Sequence, residues 1–72
     1  MVDIVEDVNG DKLLTLTNIE RIIAQDIVLS YIKRGWGVEN AEELKKEIFF
    51  SDKRWVNITF RLDKKTQLKQ TT

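Results

Sequence analysis

A chain of 72 residues, 42% apolar and 33% charged, has room for one small folded unit and none for a deep substrate cavity. Twelve Lys and Arg balance twelve Asp and Glu, which argues against a uniformly polyanion-binding surface. With neither Cys nor His, the sequence offers no disulfide, no thiolate zinc site and no nucleophile–His pair, so neither an enzyme nor a cofactor is expected.

The first residues are acidic (Asp3, Glu6, Asp7), unlike the basic start and apolar core of a secretory signal. The most apolar stretch, from Ile19 to Ile32, is interrupted by Glu20, Arg21, Gln25, Asp26 and Ser30, and is too short and too charged to span a bilayer. A cytoplasmic protein without membrane contact is the expectation.

Residues 2–16 carry the pattern of a β-hairpin around Asn9-Gly10, the preferred pair for a two-residue type I′ turn. That register sets Asp7 opposite Lys12 and Val5 opposite Leu14. Two adjacent apolar pairs, Ile4 with Val5 and Leu13 with Leu14, mean that both faces are partly covered. A helix follows over 18–34, with Thr17 as N-cap and Glu20 completing a capping box. Lys33 and Arg34 suit its negative C-terminal end, Gly35 is its left-handed terminator, and Trp36 folds back on Tyr31 as a Schellman ending requires. This helix is apolar on all sides: Ile19, Ile23, Ile27 and Tyr31 form one stripe, Ile22 and Leu29 another, Val28 and Ile32 a third. A helix of that kind is normally buried all round, which so short a chain has difficulty achieving alone.

Asn40 caps a second helix over 41–49, with Glu43 at the capping-box position and Ala41, Leu44 and Ile48 as its narrow apolar stripe. Residues 47–51 read equally as helix end or strand start. Residues 55–62 alternate strictly, Val56, Ile58, Phe60 and Leu62 against Asn57, Thr59 and Arg61, and predict a strand. The expected fold is α+β, a small antiparallel sheet with two helices in the order β-β-α-α-β. Residues 1–62 form the single domain and 63–72 a polar, frayed tail.

Three features bear on function. Asp7, Asn9 and Asp11 fall at positions one, three and five of a twelve-residue loop leading into a helix, which resembles the calcium loops of EF-hands and dockerin modules. The resemblance implies those three residues as ligands. It departs at position six, where Lys12 replaces Gly, and at position twelve, where Asn18 replaces a bidentate carboxylate; an ordinary hairpin turn explains the same residues. Second, the segment from Arg54 to Thr66 is similar to the opening strand of ribbon-helix-helix repressors, which implies Asn57, Thr59 and Arg61 as base-reading side chains, although the family's two following helices have no room here. Third, residues 1–44 hold nine acids and four bases, and residues 45–72 eight bases and three acids. The basic half interleaves aromatic residues, a composition suited to phosphate neutralisation and base stacking. A small nucleic-acid-binding regulator would use Lys53, Arg54, Trp55, Asn57, Thr59, Arg61, Lys64 and Lys65.

The reading preferred over these is a protein-interaction module, self-associating as a homodimer or binding another protein as a regulator or inhibitor. Its contact surface is the second side of the first helix: Ile22, Val28, Leu29, Ile32 and, beyond the terminator, Trp36.

Overall fold

Residues 2–70 are described by a computed structural model. The elements are β1 (Val2–Glu6), β2 (Lys12–Glu20), α1 (Arg21–Lys33), β3 (Gly37–Val38), α2 (Ala41–Phe50), β4 (Trp55–Leu62) and α3 (Lys64–Gln70). The strands form one antiparallel sheet in the order β1-β2-β4-β3. The α+β class and the order of the expected elements are as the sequence predicts, with β3 and α3 added.

The hairpin register differs by one residue from the expected one. Glu6 pairs with Lys12, Val5 with Leu13 and Ile4 with Leu14. The turn is longer than type I′: the Asp7 carbonyl accepts from Gly10 N–H at 3.1 Å, and Asp7 N–H donates to the Asp11 carbonyl at 2.9 Å. Only Gly10 takes a positive φ in the loop, 85°, so this is a type I turn closed by a left-handed glycine. Asp7 selects it, because its Oδ1 accepts the N–H groups of Asn9 (2.9 Å) and Asp11 (3.0 Å). The shift matters because each residue added to the loop turns side chains to the opposite face.

The second correction concerns the start of α1. Thr17 is not a helix cap but part of β2, which continues to Glu20. Leu16 pairs with Ile58 and Ile19 with Val56, so Thr17 and Asn18 together oppose Asn57 in a β-bulge. Asn18 takes the left-handed φ of 57°, and its N–H donates to Asn57 Oδ1 at 3.2 Å. Pairing with β4 outweighs the local capping signal, and α1 begins at Arg21, whose N–H donates to the Arg54 carbonyl. The other end is as expected: Trp36 N–H reaches the Tyr31 carbonyl, Gly35 N–H reaches that of Ile32, and Gly35 has φ 94°. Trp36 packs edge-on against Tyr31, ring centroids 6.1 Å apart.

α2 extends to Phe50, which settles residues 47–50 as helix. Its Asn40 makes no side-chain cap; the carboxamide bridges β4 instead, accepting from Thr59 N–H (3.0 Å) and donating to the Asn57 carbonyl (3.1 Å). Of the residues expected as a frayed tail, 64–70 form α3 instead, and 71–72 lie outside the described residues. Asp63 Oδ1 caps Thr66 N–H at 2.7 Å, Lys64 N–H donates to Asp11 Oδ1, and Gln67 Nε2 donates to the carbonyls of Gly10 and Leu62.

Leu14, Leu16, Val56, Ile58, Phe60 and Leu62 point to one face of the sheet, where α1 and α2 lie over β2, β4 and β3 and bury them with Ala24 and Leu44. Tyr31 stacks on Phe60 at 4.4 Å. The opposite face has no helix over it among the described elements and carries Trp55, Asn57, Thr59 and Arg61. β1 lies at the margin, beyond both helices.

Candidate functional site

The first candidate surface is the outer side of the helix layer. Steps of 100° along α1 put Ala24, Ile27, Val28 and Tyr31 toward the sheet. The same geometry lines up Ile22 and Leu29, seven residues apart, with Ile32 beside them on the solvent side. Ile22 is 80% exposed, Leu29 52% and Ile32 48%. Between α1 and α2 runs a groove of about 280 Å³ lined by Val28, Ile32, Val38, Leu44, Ile48 and Phe49, with Gln25 and Lys45 at its rim. The chain does not surround α1 by itself: one side is buried against the sheet, and Ile22, Leu29 and Ile32 on the other are exposed. Of the five expected contact residues, Ile22, Leu29 and Ile32 are exposed on α1, Val28 and Ile32 line the groove, and Trp36 stands apart, packed on Tyr31 beside the core. Phe49 and Phe50, exposed on α2, extend the apolar surface and were not foreseen, because their helical or extended state was open.

The second candidate surface is the open face of the sheet. Alternation along β4 does place Trp55, Asn57, Thr59 and Arg61 there, but the cation among them is met by acids. Arg61 Nη1 donates to Asp7 Oδ2 at 2.6 Å and to Asp11 Oδ2 at 2.8 Å, and its Nε donates to Glu39 Oε2. The hydrogen bond from Arg61 holds the Asp7 carboxyl below the usual Asp range, against the opposing effect of desolvation. Glu39, Asp7 and Asp11 in turn raise the Arg61 guanidinium further above its ordinary value. Arg54 reaches Glu20 at 3.8 Å and lies over the Trp55 ring at 5.3 Å. Lys53 pairs with Glu47 at 3.5 Å. Thr59 Oγ1 lies 3.4 Å from Thr15 Oγ1, and Asn57 is held by the bulge at Asn18. Lys64 and Lys65 lie exposed on α3. Arg61 and Arg54 of the basic half thus meet acids of the acidic half inside one molecule.

The acidic loop is drawn into the same cluster. Asp7 Oδ1 accepts two backbone N–H groups, Asp11 Oδ1 accepts that of Lys64, and both remaining oxygens bind Arg61. Asn9 contributes its backbone N–H to the turn. The cation that this loop holds is a guanidinium. Among the described residues, no group of three or more acidic side chains is placed to hold a metal ion. Sequence reading misses this cluster because Asp7, Glu39 and Arg61 are far apart in the chain; the usable signal is a pair of aspartates flanking a turn and an arginine at an outward strand position.

Comparison with protein-family models, with curated proteins and with solved structures gives no match to this chain. Among the described residues, no helix is long and apolar enough to cross a membrane.

Proposed function

We propose that this chain is a small non-enzymatic interaction module that acts by binding protein through α1 and its groove with α2, as a regulator or inhibitor that covers part of its target. The observation that carries the reading is an apolar groove between α1 and α2, lined by Val28, Ile32 and Phe49, with Ile22 and Leu29 exposed on the same helix. Scattered exposed apolar side chains are ordinary; several of them on one helix beside an apolar groove between two helices are the form of a surface that receives a partner's helix. A chain without His or Cys has little catalytic chemistry to set against this reading, and a cytoplasmic site of action fits a sequence free of disulfides. The rival nucleic-acid surface is weaker because its central cation, Arg61, is committed to three carboxylates.

The test is capture from host extract by immobilised protein, with and without nuclease, followed by calorimetry on the purified pair. Leu29→Asp is expected to weaken that pair by about 2 kcal/mol or more, as the loss of a central apolar contact does. Lys53→Glu with Lys64→Glu is expected to leave it unchanged. A pair that survives Leu29→Asp at full strength but is lost with the lysine changes or with nuclease would refute the helical surface.

A further inference from the structure

The two edges of the sheet are unlike. β3 is two residues long, and beyond it Asn40 and Glu39 engage the β4 backbone. β1 is five residues long and, among the described residues, pairs on one side only, with β2. Asp7 and Asp11 form a hydrogen-bonded pair at the turn. Bonded and non-bonded pairs alternate along an antiparallel ladder, so Val5 with Leu13 and Asp3 with Thr15 are the bonded pairs of β1. The main-chain N–H and C=O groups of Val2, Ile4 and Glu6 therefore face away from β2 along an open edge.

The side chains point the same way. Across the covered face, Val38, Phe60, Leu14 and Ile4 form one row of cross-strand neighbours. Phe60 is 0% exposed and Leu14 4%, but Ile4, where the row reaches the edge, is 62% exposed. α2 lies against the α1 flank carrying Gln25, Val28 and Ile32, so the opposite flank, with the exposed Ile23, is on the β1 side. The open edge thus carries an unburied isoleucine, Ile4, on the covered face.

We propose that β1 pairs antiparallel with β1 of a second copy, joining the two four-stranded sheets into one of eight strands. The outward groups belong to even-numbered residues, and paired residues must both be of that set, which restricts the register. Centring the two-fold axis on Ile4 uses all five residues: Ile4 meets the second copy's Ile4, Val2 meets its Glu6, and Asp3 meets its Val5. No like charges then stand opposite one another. Sliding the copies toward the N-terminus sets Asp3 against Asp3, and sliding them the other way shortens the ladder. The Ile4-centred register continues the apolar row without a break from one core into the other. A two-fold axis perpendicular to the sheet also places both helix layers on the same side, so the dimer presents the surface of Ile22, Leu29 and Ile32 twice.

The outward direction of the Ile4 N–H supplies the test. Proline at that position removes an edge donor while sparing the β1–β2 ladder. Sedimentation of wild-type protein is expected to give twice the chain mass of 8.5 kDa, and Ile4→Pro and Ile4→Lys, folded by circular dichroism, to weaken dimerisation by at least about tenfold. Amide exchange on the wild type adds a readout independent of any variant: Ile4 and Glu6 are expected to gain protection as concentration rises. Leu29→Asp is expected to remain dimeric, which separates this interface from the partner-binding surface. A wild-type monomer at millimolar concentration, a folded Ile4→Pro dimer, concentration-independent exchange at Ile4, or dissociation by Leu29→Asp alone would each overturn the proposal.

Discussion

On β4, Phe60 lies under the helices with Tyr31 stacked on it, while its neighbour Arg61 lies on the opposite face bound to Asp7, Asp11 and Glu39. Consecutive residues of one strand thus belong to two kinds of cohesion. The covered face is held by apolar burial, which has no direction and little sensitivity to salt or pH. The open face is held by charge-assisted hydrogen bonds, which depend on geometry and on ionisation. Part of the acidic first half and of the basic second half meet on the open face, through Arg61.

The largest expected effect comes from the covered face. Phe60→Ala removes a fully buried ring and its stack on Tyr31, and a loss of about 3–5 kcal/mol is expected. Small domains have total stabilities toward the lower end of about 5–15 kcal/mol, so this variant should be largely unfolded or close to it, as read by its urea midpoint. If Arg61→Met were the more damaging of the two, the apolar face would not be the main source of stability.

A smaller effect is expected at the turn that brings Asp7 and Asp11 to the open face. Gly10 holds φ 85°, so Gly10→Ala should cost about 1–2 kcal/mol through backbone strain. Its Cβ would meet Lys64 Cδ at 3.3 Å, but that is a flexible chain able to move. Gly10→Asn should recover part of the loss, since Asn tolerates the left-handed region. Equal thermal midpoints for Ala and Asn would place the cost in the Lys64 contact instead.

The covered face was the more legible of the two in the sequence. Period-two alternation set the bounds of β4 and its buried residues, and the Gly35 ending of α1 is a local motif read from adjacent residues. Helical spacing alone set Ile22 with Leu29 on one stripe and Val28 with Ile32 on another. The exposure of Ile22, Leu29 and Ile32 and the partial burial of Val28 depend on where α2 and the sheet lie. What failed depended on distant partners. The bulge at Asn18 exists because β2 aligns on β4, about forty residues away, and α3 is anchored on the Gly10 turn, more than fifty residues away. Arg61 looked like an available cation because nothing local names its carboxylates. Ile4 looked like half of a covered hairpin because exposure at an edge depends on strand order, which no single strand encodes.

The smallest effect expected is the one that isolates the open face. The folded Asp7 carboxyl titrates below its ordinary value of 3.8, so between the two values the unfolded chain binds more protons. The stability that Asp7 contributes is therefore complete above the unfolded value and is lost as pH falls through the folded one. Wild-type urea midpoints should decline on acidification below about pH 5. In Arg61→Met the same carboxylates lack their guanidinium and repel one another at neutral pH, and protonation relieves that repulsion. The gap between wild type and variant should accordingly be widest near neutrality and narrow in acid. High salt should narrow it too, since raising ionic strength from 0.1 to 1 M shortens the screening length from about 10 Å to about 3 Å. Phe60→Ala supplies the control: its deficit should be nearly constant across the same pH and salt series wherever it remains folded enough to measure. Parallel curves for wild type and Arg61→Met would mean that the cluster is a consequence of the fold and contributes nothing to holding it.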